Sequence, residues 1–304
     1  MICRLILTAL AMPLLLQFVY AQIPTPKKVT VRDVELAYIE SGAGEPLILL
    51  HGGQADYRSW ISHFPVLSER FRVIAYSRRY NYPNNNPLAP GDHSAYVEAD
   101  DLADFIKKLG LKRVHLVGTS IGAYAALIVA VKHPKMVASL VLAEPNIHAW
   151  VKDSPEFKEF FNKAWIPAAA AFRAGNDKDG MRYLVDIFGG AGSFDRMPPE
   201  AAEIAMQNSR FFRAATLSKD HSPDISREKV RRLEMPILIV SGENTFPMAK
   251  RIVAELERVL PNADRTVIRN AGHGSPRQDP AAFDDVVLKF MDKHKFGSAQ
   301  GRNN

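Results

Sequence analysis

The sequence contains a single cysteine, Cys3, which lies at the start of an apolar N-terminal segment. If that segment is removed, the remaining chain has no thiol, which excludes disulfides, thiolate metal sites and a cysteine nucleophile. The position of Cys3, ahead of the apolar run, also argues against a lipid-modified cysteine behind it. A chain of 304 residues, 47% of them hydrophobic, is long enough to rely on its core instead.

Blocks of like charge are also missing. The 39 lysines and arginines are scattered among 33 acidic residues, which leaves a net charge of +6 and no run of five like charges. This pattern does not support a nucleic-acid interface. We expect a small-molecule substrate as the partner, and the sequence leaves the oligomeric state open.

One apolar run, Leu5–Val19, is long enough to be a targeting or membrane segment. It follows Arg4 and ends in Val19-Tyr20-Ala21, which is typical of a secretory signal peptide. A membrane anchor is the alternative, but an anchor needs about 20 apolar residues and this run is shorter. We therefore predict a signal peptide over residues 1–21, cleavage before Gln22 and no stable membrane insertion afterwards. The protein would then be exported, either periplasmic or secreted.

Strand-like and helix-like segments alternate along the rest of the chain, after a short hairpin. This alternation predicts an α/β fold with a mostly parallel sheet and helices on both faces. The core is expected over residues 22–146 and 235–296, and a disordered tail over 297–304. The predicted strands are Val29–Val31, Glu35–Glu40, Pro46–Leu50, Arg72–Tyr76, Val114–Val117, Val137–Leu142, Ile237–Val240 and Arg265–Ile268, and the predicted helices are Asp56–Glu69, Ser94–Leu109, Ile121–Lys132, Met248–Leu260 and Pro280–His294.

Residues 147–234 interrupt the alternation. They contain three helix-like stretches, Pro155–Arg173, Lys178–Phe188 and Pro199–Leu217, and no convincing strand. A segment of this length needs its own structure, so we predict a helical cap inserted after the strand that ends at Glu144.

The strongest functional signal is Gly118-Thr119-Ser120-Ile121-Gly122, between a predicted strand and a predicted helix. A nucleophile on a sharp strand-to-helix turn needs small neighbours, because its backbone is strained and larger side chains would collide. We therefore predict that Ser120 is a nucleophile. The alternative is a glycine-flanked turn in an inert α/β protein.

A second glycine-rich loop, Asn270-Ala271-Gly272-His273-Gly274, follows the last predicted strand. Glycines on both sides of His273 would allow its imidazole to reach Ser120. His273 is therefore the predicted general base, which takes the serine proton and returns it to the leaving group. The alternative is a solvent-exposed loop histidine.

A third loop, His51-Gly52-Gly53-Gln54, follows the first long strand. The backbone N–H groups of Gly53 and Ile121 are the predicted oxyanion donors. We expect His51 to brace this loop rather than act as the base. Gln54 is a candidate substrate contact.

Two further substrate contacts are predicted, Arg78 and Trp150. Arg78 follows a core strand at the same rim and could grip a carboxylate or phosphate by a two-point contact. An ion pair that orders the loop is the alternative. Trp150 is one of several aromatics in the cap, some of which could line an apolar pocket.

In chain order the three motifs are His51–Gly53, Gly118–Gly122 and Gly272–Gly274. Their order and spacing resemble those of the α/β-hydrolase superfamily. The resemblance covers nearly all of the chain after the signal segment, except the cap. It implies the α/β-hydrolase fold and the chain order nucleophile, acid, histidine. Hydrolysis through such a triad needs no cofactor, and the sequence has no metal-binding motif such as H-E-x-x-H.

The acid departs from that resemblance. Family members usually place an aspartate where this chain has Thr245, three residues after Gly242. Some dehalogenase relatives take their acid instead from the strand after the nucleophile's helix, which here ends at Glu144. We predict Glu144 as the triad acid, with Glu243 as the runner-up. The alternative for Glu144 is a structural acid at the strand end that forms a salt bridge. The alternative for Glu243 is a solvated loop acid.

A serine nucleophile suits acyl transfer, whereas dehalogenases and soluble epoxide hydrolases alkylate an aspartate. We therefore predict an exported serine hydrolase that cleaves a carboxylic ester or similar acyl bond through an acyl-enzyme. A lactonase, a C–C bond hydrolase or a cofactor-free perhydrolase could use the same triad. A non-hydrolytic ligand-binding protein on this scaffold is the alternative from another class.

Overall fold

The computed structural model describes residues 24–89 and 93–294. The predicted signal peptide and the predicted disordered tail lie outside these residues. Within them, no helix combines the length and apolarity needed to cross a membrane.

An eight-stranded sheet forms the centre of the fold, in the order β1-β2-β4-β3-β5-β6-β7-β8. The β1–β2 hairpin is antiparallel and joins β4 in antiparallel register, whereas all later pairs are parallel. The predicted mostly parallel α/β sheet is thereby confirmed. The strands are β1 Lys27–Val31, β2 Val34–Ser41, β3 Pro46–Leu50, β4 Arg72–Tyr76, β5 Val114–Thr119, β6 Val137–Ala143, β7 Ile237–Gly242 and β8 Asp264–Ile268.

Two hydrophobic clusters cover the two faces of the sheet. Successive side chains of a strand point to opposite faces, and β3 shows this directly. Ile48 and Leu50 belong to one cluster, and Leu47 and Leu49 belong to the other. Every residue of the central strand β6 is buried. Central parallel strands read as unbroken apolar runs because both of their faces are covered.

Helices flank this sheet and are also the main regular elements of the predicted cap segment. The described α-helices are α1 Phe64–Leu67, α2 Ala95–Lys108, α3 Ile121–Lys132, α4 Pro155–Phe160, α5 Ile166–Arg173, α6 Asp177–Gly189, α7 Pro199–Gln207, α8 Ser209–Leu217, α9 Arg227–Arg231, α10 Pro247–Val259, α11 Ser275–Gln278 and α12 Pro280–Lys293. Helices α4 to α9 lie within residues 147–234, where the structure contains no strand.

The sequence did not predict the short helices α9 and α11, and three predicted helices differ from those in the structure. The predicted helix over Asp56–Glu69 is mostly a 3-10 helix, Tyr57–His63, followed by α1. A π-helical turn, Phe161–Trp165, joins α4 to α5 within the predicted helix Pro155–Arg173. The last predicted cap helix breaks at Asn208, whose side-chain amide donates to Asp56 of the core at 2.8 Å and so ties the cap to the core.

Candidate active site

Ser120 occupies a strained turn between β5 and α3. Its backbone has φ 53° and ψ −121°, a left-handed conformation that is uncommon for a residue with a side chain. Such strain costs about 1–3 kcal/mol and persists only where the surroundings enforce it. Here the Ser120 N–H donates to the Ala143 carbonyl oxygen at 2.9 Å, and the Ser120 carbonyl accepts from the Tyr124 N–H at 3.0 Å.

The glycines on either side of Ser120 allow backbone segments to approach closely. A Cβ on Gly118 would lie 2.6 Å from backbone atoms of Ala123, so only glycine lets α3 start so near to β5. A Cβ on Gly122 would lie 2.6 Å from the carbonyl oxygens of Leu50 and His51. The spacing in the motif therefore has a direct steric cause.

Glu144 lies at the end of β6 with its carboxylate buried, and its backbone is also left-handed, with φ 48°. Its Oε2 accepts from His273 Nδ1 at 2.6 Å and from the Thr245 hydroxyl at 2.6 Å. Its Oε1 accepts from the Gly242 N–H at 2.7 Å. Three donors therefore hold one carboxylate against the imidazole, as expected for an acid that orients a histidine.

Thr245 lies at the position where the family usually has its acid. Its hydroxyl donates to Glu144, which takes the place of that acid here. Sequence reasoning did not foresee this contact. Glu243, the runner-up, lies on an exposed loop and accepts from the Asn270 N–H at 2.9 Å. The structure therefore brings Glu144, and not Glu243, into contact with His273.

The loop that carries His273 is fixed from several directions. Gln278 accepts from the Gly272 N–H at 2.6 Å. The imidazole stacks on Phe188, with centroids 5.4 Å apart, and meets the edge of Phe246 at 5.0 Å. Because Nδ1 donates to Glu144, Nε2 is the nitrogen left to face the reaction. Ser120 and His273 line the same cavity.

His51 has the bracing position that the sequence suggested. Its Nδ1–H donates to the Gly52 carbonyl at 2.8 Å, and its Nε2 accepts from the Arg78 N–H at 3.0 Å. Burial lowers the pKa of His51 to about 3, with the nearby Arg78 guanidinium acting in the same direction. The ring is therefore neutral at physiological pH, and both of its nitrogens already have hydrogen-bond partners.

The two predicted oxyanion donors, Gly53 and Ile121, line the cavity beside Ser120. Ile121 is the first residue of α3, so its N–H has no acceptor within the helix. The N-terminal end of a helix also carries a partial positive charge, which favours an anion. Gly52 lies against the nucleophile, since a Cβ there would be 3.5 Å from Ser120 Cβ.

The cavity has a volume of about 310 Å³, typical of a small or medium ligand. Its floor is the rim of the core, and its walls come from both the cap and the core. Aromatic side chains form much of these walls: Trp60, Phe160, Trp165, Phe188, Phe211, Phe212 and Phe246. The π-helical turn ends at one of them, Trp165, which stacks on His221 with centroids 5.2 Å apart.

Two cavity histidines, His148 and His221, were not singled out from the sequence. Burial lowers the pKa of His148 to about 4 and that of His221 to about 3, with neighbouring histidines contributing in the same direction. Both rings are neutral at physiological pH. Among the described residues, Gln54 Nε2, Asn146 Oδ1 and His221 Nδ1 are buried polar atoms without a hydrogen-bond partner. Each of these residues lines the cavity, so a ligand with polar groups could pair with them.

Of the three predicted substrate contacts, only Gln54 lines the cavity. Arg78 is fully buried, donates to Glu98 at 2.9 Å and to the Gly52 carbonyl at 3.1 Å, and therefore orders the loop instead. Trp150 is buried in the cap and donates to the Ile225 carbonyl at 2.9 Å. These two residues stabilise the walls rather than face the ligand space.

The described residues contain no group of three or more histidine, cysteine, aspartate or glutamate side chains positioned to hold a metal ion.

A strained serine, a histidine held by a buried glutamate and an adjacent apolar cavity define a hydrolase site at the rim of a parallel sheet. Comparison with known proteins agrees. Residues 47–286 match the family model described as the alpha/beta hydrolase family, and the chain belongs to that family.

Individual relatives cover most of the chain at low identity. A Caulobacter segnis protein, itself only provisionally named as the carbamate hydrolase RutD, is 25% identical over 264 residues, or 82% of this chain and 92% of its own. A second relative is the 2-hydroxy-6-oxononadienedioate/2-hydroxy-6-oxononatrienedioate hydrolase 2 of Pseudomonas putida. It is 22% identical, and the match covers 85% of this chain and 92% of that protein. A solved esterase from Thermogutta terrifontis superposes with a TM-score of 0.73 at 24% identity, covering 89% of this chain and all of that one. The protein is thus a hydrolase of the α/β-hydrolase family.

Proposed function

We propose that this hydrolase is an exported serine esterase that cleaves carboxylic esters of small or medium size. The observation that carries the proposal is the 2.6 Å contact between His273 Nδ1 and the buried Glu144, with His273 and Ser120 lining one cavity. A histidine oriented in this way can accept a proton at Nε2 and pass it on.

In the proposed reaction the Ser120 hydroxyl attacks the ester carbonyl while His273 Nε2 takes the hydroxyl proton. The oxygen that gains negative charge is held by the N–H groups of Gly53 and Ile121. His273 then gives its proton to the departing alkoxide, which leaves as the alcohol, and an acyl-enzyme remains. Water, deprotonated by the same imidazole, then attacks the acyl carbonyl. His273 returns that proton to the Ser120 oxygen as the acid leaves, which restores the free enzyme. Glu144 stays ionised and stabilises the imidazolium during both formation and hydrolysis of the acyl-enzyme.

The lining of the cavity favours an ester with an apolar portion. Aromatic side chains dominate the walls, and the neutral His148 and His221 add hydrogen-bonding groups without adding charge. Burial of apolar substrate surface against such walls contributes roughly 25 cal/mol per Å². An uncharged acyl or alcohol chain therefore has a compatible environment.

The same triad could cleave a lactone, a carbamate or a C–C bond next to a carbonyl, or act as a perhydrolase. The Caulobacter segnis relative is provisionally named a carbamate hydrolase, and the Pseudomonas putida relative is named a hydrolase of 2-hydroxy-6-oxononadienedioate and 2-hydroxy-6-oxononatrienedioate. A non-hydrolytic binding protein is disfavoured, because the strained Ser120 and the buried Glu144 are both costly to maintain without a catalytic use.

Export is proposed from the sequence alone, through the predicted signal peptide over residues 1–21. Expression of the full chain in a Gram-negative host, followed by fractionation and N-terminal sequencing, tests it. We expect periplasmic or secreted protein that begins at Gln22. Recovery of the protein in the cytoplasm with its first residues intact would contradict export.

The enzymatic proposal is tested with purified protein starting at Gln22 and a panel of p-nitrophenyl esters from acetate to decanoate. We expect saturable turnover with an optimum at short or medium chains, and its loss in Ser120→Ala. Ser193→Ala is a matched control, since Ser193 lines the same cavity from the cap and has no role in the proposed reaction. If no ester, lactone or carbamate is turned over by folded protein, the proposal fails.

A further inference from the structure

One charged side chain of the cavity has no role in the proposed reaction. Arg277 lies in the short helix α11, four residues after His273, and lines the cavity together with its neighbours Pro276 and Gln278. Its backbone is fixed, because its N–H donates to the Gly274 carbonyl at 2.9 Å. The side chain still reaches solvent, which places it where the cavity opens.

Arg277 also has no counter-ion. Across residues 24–89 and 93–294, its guanidinium forms neither an ion pair nor a hydrogen bond with a protein group. Most other arginines around the site are paired: Arg78 with Glu98, Arg79 with Asp101 and Arg58 with Asp56. Crowding by neighbouring protein atoms lowers the pKa of Arg277, and no nearby carboxylate offsets this effect. An arginine nevertheless stays protonated at neutral pH.

Apart from His273, which exchanges protons in the proposed reaction, the other polar groups described around the cavity do not supply a positive charge. His148 and His221 are neutral for the reasons given above. Among residues 24–89 and 93–294, Glu144 is the only carboxylate that lines the cavity, and three donors already hold it. Of the described residues that line the cavity, Arg277 therefore supplies the one unpaired permanent charge. Its planar guanidinium fits a carboxylate by two parallel hydrogen bonds.

We propose that Arg277 is a specificity-determining residue that binds a carboxylate of the substrate, so that the preferred substrates are monoanionic esters with an apolar segment between the carboxylate and the scissile bond. The aromatic walls would hold that segment, and the open side of the cavity would keep the charge near water. This inference rests on the proposed ester hydrolysis, and it narrows the substrate class of the same site.

The test compares charged esters with neutral esters of the same shape. The charged set consists of the mono-p-nitrophenyl esters of succinate, glutarate and adipate together with 4-carboxyphenyl butyrate, so that the carboxylate lies on the acyl or on the alcohol side. The neutral set consists of the methyl esters of the same compounds. The variants are Arg277→Gln, Arg277→Lys and, as control, Arg173→Gln, since Arg173 is an exposed cap arginine that does not line the cavity.

We expect the wild-type enzyme to prefer at least one charged ester over its neutral counterpart. Arg277→Gln should lower kcat/KM for that ester by about tenfold or more, mainly through KM, and leave neutral esters within about twofold. For the charged ester, kcat/KM of Arg277→Lys should lie between the values for the wild type and Arg277→Gln. Lysine keeps the positive charge but cannot form two parallel hydrogen bonds with a carboxylate. Added NaCl should raise KM for the charged ester in the wild type and have less effect in Arg277→Gln.

Equal effects of Arg277→Gln on charged and neutral esters, or no effect on either, would overturn the inference while leaving ester hydrolysis intact. If the wild type cleaves no ester, the proposed function fails first. The inference is then decided by calorimetric titration of monomethyl glutarate, a monoanionic ester, into Ser120→Ala and into the double variant Ser120→Ala/Arg277→Gln. Binding that Arg277→Gln abolishes supports it, and equal binding or none in both proteins contradicts it.

Discussion

Replacement of Glu144 by glutamine changes one atom of the site and should remove most of the activity. All three contacts of the carboxylate are with donors: the imidazole Nδ1–H, the Thr245 hydroxyl and the Gly242 N–H. Two carboxylate oxygens can accept all of them, whereas an amide has one oxygen and a donating NH₂ group. No orientation of the glutamine therefore satisfies the site.

The consequence depends on which way the amide turns. If its oxygen faces Gly242, its NH₂ opposes His273 Nδ1–H, and the ring must move its proton to Nε2, the nitrogen that should receive the proton of Ser120. If its oxygen faces His273, its NH₂ opposes the Gly242 N–H, which lies 2.7 Å from the present oxygen. A buried donor without an acceptor costs about 1–3 kcal/mol. In both cases the negative charge that stabilises the imidazolium is gone.

The expected loss in kcat is about 10³ to 10⁴-fold, similar to the effect of the corresponding change in serine proteases. At 1.36 kcal/mol per decade this equals about 4–5.5 kcal/mol of activation free energy. The assay is steady-state hydrolysis of the best ester from the panel, with circular dichroism to show that the variant is folded. Glu243→Gln is the control and should stay within about threefold of wild type, because Glu243 does not contact His273. Near-normal kcat in Glu144→Gln, together with a large loss in Glu243→Gln, would refute the reasoning.

Further predictions concern the supports of the site. Thr245→Val removes one of the donors to the Glu144 carboxylate and should lower kcat by about tenfold, whereas Thr245→Ser should restore most of it; equal losses in both variants would contradict this role. Gly122→Ala places a Cβ 2.6 Å from two backbone carbonyl oxygens and should destabilise the fold by at least about 3 kcal/mol in thermal or urea unfolding, and an unchanged midpoint would contradict the steric argument. The pKa values of His51 and of the two cavity histidines are lowered from 6.5 to about 3 or 4, so the unfolded chain binds protons that the native protein excludes as pH falls. Urea titrations should therefore show stability decreasing below about pH 6.5, by up to about 1.4 kcal/mol per pH unit for each histidine, and constant stability between pH 6.5 and 4.5 would contradict it.

The parts of the site that the sequence predicted are those with a local pattern. Ser120 lies between a strand and a helix that are both strongly apolar, and its flanking glycines have steric causes within a few residues. The choice of Glu144 over Glu243 followed from the resemblance to dehalogenase relatives, which take their acid from the strand after the nucleophile's helix. Strand bounds were predicted closely, since buried parallel strands appear as short unbroken apolar runs.

The parts that the sequence did not predict depend on contacts between distant segments. Arg78 was expected to face the substrate, but whether it turns inward depends on Glu98, which lies twenty residues later on α2. Trp150 is held by a carbonyl seventy-five residues away. The sequence showed only that Thr245 stands where the family usually has an aspartate, and not that its hydroxyl donates to Glu144. No pattern in the sequence marks Arg277, because its exposure to the cavity depends on how the cap closes over the core.

The most direct measurement for the central claim is active-site labelling with a fluorophosphonate, which reacts with an activated serine. We expect one label per chain in the wild type, located at Ser120 by peptide mass spectrometry. The label should be absent in Ser120→Ala and form at least about a hundredfold more slowly in His273→Ala. A folded wild-type protein that takes no label, or takes it at another serine, would contradict the account.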